Sequence, residues 1–487
     1  MSLFLYKTDM FAIASFVIIV STRLGSDFLF TISFSEKNRQ PLYEQLYKRI
    51  KQNIVEGILP QGKKLPSKRK LAEHLQISKN TVENAYAQLI AEGYVETVEK
   101  KGYFVRQIDS IIKKSKSISD LLVEERDNND TYIYDLKTNA VDLYNFPFAT
   151  WAKLMREILR DENDSLLKPI HPQGDLSLRK EIARYLKEYK NMSVHPEQII
   201  LGAGSEYLFS LIIELLPNSV FAVENPCYHK IVRILQSRDI KFHPISMDAE
   251  GMRKDELEKT DSSIAFITPS RHFPLGTVMS INRRMQMLKW ADTDNFFIIE
   301  DDYDSEYRYA LKPIPTLHSL DNDDKVIYLN TFTRTLAPSL RIGYMVLPPD
   351  LLETYRKKLT FYSCTVSEFE QRTLKKFLEK NYYERHLNRM RTIYKNRRDI
   401  FIRYLGSLAN VLTIKGYEAG LHLLITSNKM SEIELIQKAK ENGVKVYGLS
   451  EYYLDQTPET NTVIVGYGGL ATADVSEVAE LLIKSWQ

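Results

Sequence analysis

Apolar residues at Leu42, Leu46, Ile50 and Ile54 recur every four positions, the stripe of an amphipathic helix that stops at Gly57. After a loop holding Gly62 and Pro66, Leu71, Ala72 and Leu75 mark a short helix with Ser67 as its N-cap. Ser78 can cap a third helix, with Val82, Ala85, Tyr86, Leu89 and Ile90 on one face and Gly93 as its stop. Two β-prone pieces, Tyr94 to Val98 and Tyr103 to Val105, join across Glu99-Lys100-Lys101-Gly102 as a hairpin. Three helices and a hairpin in this order predict a winged helix-turn-helix over 36–106. Lys79, Asn80 and Thr81, at the exposed start of the third helix, suit base edges and phosphates. The wing tip, Lys100, Lys101 and Gly102, suits backbone or minor-groove contact. Small three-helix modules also serve as protein-interaction domains, so geometry alone leaves both readings open.

From 107 to 131 the chain turns polar and loses its periodicity, which predicts a linker with room for one short helix around Ile118 to Val123. Beyond it, over 132–487, short apolar runs recur between helical stretches: Val220 to Val223, Ile264 to Ile267, Phe296 to Ile299, Val326 to Leu329 and Tyr344 to Leu347. Runs apolar on both faces are the mark of strands buried in a mostly parallel sheet. Several end in polar clusters, Glu300-Asp301-Asp302-Tyr303 among them. Ligand sites of open α/β sheets lie at such carboxyl ends. Gly202-Ala203-Gly204-Ser205-Glu206 opens a helix after a strand, a backbone N–H cradle suited to a phosphate.

Composition narrows the class. With 487 residues, 44% apolar and 26% charged, the chain is long enough for two or three domains and is not largely disordered. The net charge of +3 is unevenly spread, since 12 Lys/Arg face 7 Asp/Glu between Gln40 and Arg106, leaving about −2 elsewhere. That imbalance points the N-terminal segment towards a polyanion, or gives it a solvated basic face. Two cysteines, Cys227 and Cys364, exclude a disulfide framework and a four-thiolate zinc site, and suit a reducing cytoplasm. No metal site is expected. The apolar run from Met10 to Val20 has 11 residues, short of the ~20 needed to span a bilayer. Residues 1–30 read as an extension or an early start codon, and no membrane partner is expected.

LPSKRKLAEHLQISKNTVENAYAQLIAEGYVETVEKKGYFV, from Leu65 to Val105, resembles the GntR-type winged helix of bacterial transcription regulators. The resemblance implies that Arg69, Ser78, Lys79, Thr81 and the wing tip face DNA. The body is similar to aminotransferases of class I/II with the pyridoxal-phosphate fold type I, on HPQGDLSLRKEIARYL, ENPCY, EDDYDSEYRY and TFTRTLAPSLRIGYMVLP. It implies that Asp301 meets the pyridine nitrogen and Tyr303 the 3-hydroxyl, and that Tyr228 stacks on the ring. Thr333 and Arg341 match the phosphate-binding positions, beside Gly204 and Ser205. The two together resemble the MocR/GabR-type regulators. That architecture implies an α/β body with a mixed central sheet, a smaller C-terminal α+β subdomain and a head-to-tail homodimer. Its partners are operator DNA and a small-molecule effector, either an amino compound or pyridoxal phosphate.

The chain departs from the pattern at the centre of the site. Where the family has the lysine that forms the Schiff base, this chain has Arg334, and there is no lysine between Lys325 and Lys357. Arginine stays charged and does not serve as an imine-forming amine. Cys227 stands where glycine is usual, Arg271-His272 replaces a His-Gln pair, and VIVGYGGL is apolar where a substrate-binding arginine is expected. His272 reads as a pocket-wall residue, and no residue is assigned as catalytic. The expected function is a transcription regulator with a degenerate aminotransferase-like sensor that holds pyridoxal phosphate non-covalently or has lost it. The alternatives are an aminotransferase with an appended DNA-binding domain, or a regulator whose body is only a dimerisation scaffold.

Overall fold

The N-terminal stripe becomes helix α1 (Leu42–Val55) in a computed structural model that describes residues 40–107, 132–138, 140–161, 164–293, 295–309, 314–454 and 458–487. The chain divides into two compact units, 1–129 and 130–487. Residues 1–30 and the expected helix around Ile118 to Val123 lie outside the described residues.

In the first unit, α2 (Lys68–Leu75) and α3 (Lys79–Ala91) start where their serines cap them: Ser67 accepts from the Lys70 N–H and Ser78 from the Thr81 N–H. Strands β1 (Lys64–Leu65), β2 (Val95–Val98) and β3 (Gly102–Val105) form an antiparallel sheet in the order β1-β3-β2. Leu46, Ile50, Leu71, Val82, Ala85, Tyr86 and Leu89 are buried together. Two stripe members fall outside this core. Leu42, at the first turn of α1, is 44% exposed, and Ile90, near the end of α3, is 36% exposed. At both helix ends the covering elements have run out, so the periodicity continues past the packing. The wing turns where Lys100 and Gly102 adopt positive φ of 58° and 112°.

The second unit opens with β4 (Tyr134–Asp135), followed by α4 (Phe148–Asp161) and α5 (Leu176–Lys190). Its main sheet has eight strands: β5 (Ile199–Gly202), β6 (Phe221–Asn225), β7 (Phe242–Asp248), β8 (Gly251–Met252), β9 (Ile264–Ile267), β10 (Phe297–Asp301), β11 (Val326–Thr331) and β12 (Gly343–Val346). The order is β5-β12-β11-β10-β9-β6-β7-β8. Pairings from β7 through β6, β9 and β10 to β11 are parallel, while β12 and β8 run antiparallel to their neighbours. Alternation along the strands feeds two cores. Phe221, Val223, Ile264, Phe266 and Ile299 pack on one, and Ala222, Ala265, Ile267 and Ile298 on the other. That is why these runs are apolar throughout.

A smaller sheet near the C-terminus has β13 (Leu412–Lys415), β14 (His422–Ser427), β16 (Tyr447–Gly448) and β17 (Thr462–Gly466) in the order β13-β14-β17-β16, while β15 (Val444–Lys445) pairs with β4. Helices 432–441 and 475–486 complete this α+β part. Helix α6 (Ser205–Leu215) follows β5 after two residues, and helix 382–405 spans 24 residues. Among the described residues no helix is long and apolar enough to cross a membrane.

Candidate functional site

The carboxyl ends of β6, β10 and β11 and the start of α6 enclose a cavity of about 320 Å³. Ser205, Tyr228, Asp301, Tyr303, Thr333 and Arg341 all line it, as do Arg334 and Cys227. Gly204, at φ +87°, sits directly under Arg341: a Cβ there would lie 2.8 Å from the guanidinium. The gap left by the missing side chain is what lets Arg341, itself at φ +51°, reach the Ala203 carbonyl at 3.1 Å.

Asp301 ends β10. Its Oδ1 and the Tyr303 hydroxyl are sealed from solvent and have no hydrogen-bond partner among the described residues. Burial, with the negative charges of Asp302 and Asp304, pushes the Asp301 carboxyl up to about 7, with Arg334 opposing. Burial also holds the Tyr303 phenol above its ordinary value. Arg334 lies 5.5 Å over the Tyr303 ring and donates to the Thr138 carbonyl at 3.4 Å. Thr333 shares a hydrogen bond with Thr331 at 2.7 Å, which fixes its hydroxyl at the end of β11. Tyr228 packs edge-on against Phe273 at 6.0 Å.

Three charged lining residues, Glu206, Glu224 and Lys230, were given no role from the sequence. Glu206 accepts from Arg341 at 2.6 Å and from Lys230 at 2.7 Å. Burial opposes its ionisation, yet these two bonds win and hold its carboxyl below the ordinary range. Glu224 accepts from the Thr268 hydroxyl at 2.6 Å and the Thr268 N–H at 3.0 Å through one oxygen, while its other oxygen has no partner. Burial pushes it up to about 8 against those bonds. Glu206 was visible within the Gly-rich turn and Lys230 two positions after Tyr228, but the ion pairs between them depend on the fold.

One expectation needs correction. His272 is not among the lining residues. It lies behind Glu224, its Nε2 3.6 Å from the carboxylate, and burial holds it at about 3, with the Arg271 charge acting in the same direction. Arg271 is buried away from the cavity as well, paired with Asp304 at 3.3 Å and donating to the His422 carbonyl at 3.0 Å. Cys227 is a buried thiol, pushed up to about 12 by burial and by Glu224.

On the winged helix, Arg69, Lys79, Asn80, Lys100 and Lys101 are exposed, and Arg69 bonds Glu73 at 2.9 Å. Ser78 and Thr81 are joined by their hydroxyls at 2.8 Å, so both serve the helix start before they can serve a ligand. Gly102 forms the wing turn.

The family model of aminotransferase class I and II matches residues 132–480, and that of the gntR family of bacterial regulatory proteins matches residues 42–105. The Bacillus subtilis protein named uncharacterized HTH-type transcriptional regulator YdeL is 38% identical over 92% of this chain and 97% of its own. The probable rhizopine catabolism regulatory protein MocR of Rhizobium meliloti is 30% identical over 88% of this chain and 90% of its own. Among solved structures, the multiple substrate aminotransferase of Thermococcus profundus is similar at a TM-score of 0.66 and 25% identity, over 77% of this chain and 96% of that one. The chain therefore belongs to the MocR-type family of HTH transcriptional regulators, in which a gntR-type domain precedes an aminotransferase class I and II domain.

Proposed function

We propose that this regulator binds operator DNA as a head-to-tail homodimer and senses a small molecule, pyridoxal phosphate or an amino compound, in the cavity of its body without transaminase turnover. The observation that carries this reading is Arg334. It lines the cavity beside Asp301 and Tyr303, at the position where the resemblance calls for a lysine.

The residues present fit the cofactor. The sealed, unpartnered Asp301 Oδ1 suits a ring nitrogen and the Tyr303 hydroxyl a ring hydroxyl. Tyr228 offers a face to the ring, and Ser205, Thr333 and Arg341 around Gly204 offer donors to a phosphate. Bound pyridoxal phosphate supplies an aldehyde and an electron-withdrawing ring. Asp301, raised to about 7, holds a proton on the acid side of neutrality and would share it with a ring nitrogen. Glu206 holds Arg341 and Lys230 now, and its carboxylate would compete with a phosphate for both cations. Arg334 pairs with anions but does not supply the neutral amine that covalent capture of an aldehyde needs. Loss of an acid–base group alone costs about 10²–10⁴-fold in rate. Cys227 does not compensate, because its thiol stays protonated.

On the DNA side, exposed Lys79 and Asn80 at the start of α3 suit a major groove, and Lys100 and Lys101 the flanking backbone. A two-fold dimer presents two such helices to a two-part operator. Selection of bound sequences from randomised duplexes tests the proposal, followed by affinity measurements across a panel of amino compounds and pyridoxal phosphate. The proposal expects a two-part site and at least one compound that shifts operator affinity. Sequence-independent binding, affinity unchanged across the whole panel, or amino-group transfer to an oxo acid would overturn it.

A further inference from the structure

The lining of the cavity holds the carboxylates Glu206, Glu224 and Asp301 and the cations Lys230, Arg334 and Arg341. Burial opposes ionisation of Glu206, but its bonds to Lys230 and Arg341 keep its carboxyl below the ordinary range. Burial raises Glu224 to about 8 and Asp301 to about 7. Near neutrality Glu224 therefore carries its proton, and Asp301 carries one part of the time. Three cations face one full negative charge and a fraction of another. A cleft with that excess selects an anion.

The positive charge sits on two walls. Arg341 and Lys230 converge on Glu206 at the start of α6, at 2.6 and 2.7 Å. Arg334, half-buried, belongs to the other wall: it lies 5.5 Å over the Tyr303 ring, and its Nη1 donates to the Thr138 carbonyl at 3.4 Å. Tyr303 follows β10 and α6 follows β5, and in the sheet β12 and β11 lie between those strands. The Arg334 charge reaches the cavity, since it opposes the rise of Asp301. A ligand that fills this space meets cations on both walls.

The two walls suit different groups. Arg341 and Lys230 at the start of a helix suit a phosphate. Arg334 offers a planar, permanently charged fork of N–H donors, the match of a carboxylate. An aldehyde or alcohol oxygen placed there accepts from the guanidinium as a neutral group. A carboxylate accepts through two oxygens with both partners charged, which is the stronger arrangement. A lysine amine can add to an aldehyde, whereas a guanidinium cannot, so replacing the lysine with Arg334 changes which ring substituent this wall recognises.

We propose that the cavity prefers a pyridine-ring phosphate that carries a carboxylate in place of the aldehyde, with the carboxylate on Arg334 and the phosphate on Arg341 and Lys230. This rests on the reading of the cavity as a site for pyridoxal phosphate, and names the oxidation state of the ring compound it takes. The test is equilibrium dialysis of the full chain against three compounds that share the ring and the phosphate arm. They are pyridoxal phosphate, its alcohol pyridoxine phosphate, and its carboxylate 4-pyridoxate phosphate. The carboxylate binds more tightly than the alcohol by about tenfold or more, the scale of a hydrogen bond between charged groups. Arg334→Gln removes the fixed charge and weakens the carboxylate about tenfold more than the alcohol. Arg341→Gln weakens all three alike, since all carry the phosphate. Melting curves of the two variants establish that each is folded. Equal affinity of the parent for carboxylate and alcohol, or a loss in Arg334→Gln shared equally by both, overturns the inference, while binding of pyridoxal phosphate leaves the reading of the cavity standing. Failure of all three compounds to bind overturns both.

Discussion

Glu224→Gln isolates the electrostatics of the cavity. In the folded chain the Glu224 carboxyl is raised from 4.5 to about 8, mainly by burial. A carboxyl that binds its proton more tightly folded than unfolded makes stability fall as pH rises between those two values, at about 1.4 kcal/mol per pH unit. Over some 3.5 units the ceiling is about 5 kcal/mol, fully expressed above pH 8 and absent below about pH 4.5. Glutamine suits the site, since its carbonyl oxygen can accept both Thr268 donors while its NH2 takes the place of the unpartnered oxygen. The variant is therefore expected to match the parent near pH 5 and to exceed it by at least ~2 kcal/mol at pH 8.5, allowing for relaxation around the charge. All three tryptophans, Trp151, Trp290 and Trp486, lie in the second unit, so their fluorescence during urea unfolding reports on it. Stability curves for parent and variant that stay parallel from pH 5 to 8.5 would refute a protonated Glu224 and the burial that causes it.

Glu206→Gln releases Arg341 and Lys230 from their shared carboxylate and is expected to tighten pyridoxal phosphate binding several-fold, read by fluorescence quenching. Lys79→Ala lowers affinity for all duplexes alike and reduces the salt slope by about one, whereas Asn80→Ala costs about 1–3 kcal/mol and relaxes preference at one base position. Ser78→Ala removes the cap of α3 and costs about 1 kcal/mol in thermal unfolding of the winged helix. Gly420→Ala is expected to destabilise the body, because a Cβ there overlaps the buried Arg271 guanidinium at a φ of +74°.

Local signals carried the winged helix. Ser67 and Ser78 cap helices by chemistry that spans three residues, and the buried face of α3 follows from its own spacing. Only the helix ends misled, at Leu42 and Ile90, where coverage depends on neighbouring elements. In the body, strands buried on both faces were visible as apolar runs, and β5 as the strand that precedes the Gly-rich turn, while β7 was not. β7, with polar His243, Ser246 and Asp248, pairs on its outer side only with the two-residue β8. Asp301, Tyr303 and Tyr228 were legible because each sits in a local motif. The Thr138 carbonyl that receives Arg334 is 196 positions away, and the cavity brings together the start of α6 and the ends of β6, β10 and β11. Contacts of that range arise from topology and leave no local trace.

The most direct test of a sensor without covalent cofactor chemistry compares the parent with Arg334→Lys. Each protein is mixed with pyridoxal phosphate, dialysed, and reduced with borohydride before denaturation, with absorbance followed throughout. The account predicts that the parent keeps cofactor absorbance through dialysis but loses it all on denaturation, whereas the variant retains it, fixed to Lys at position 334. Cofactor fixed to the reduced parent would contradict the account, and so would the absence of binding in both proteins.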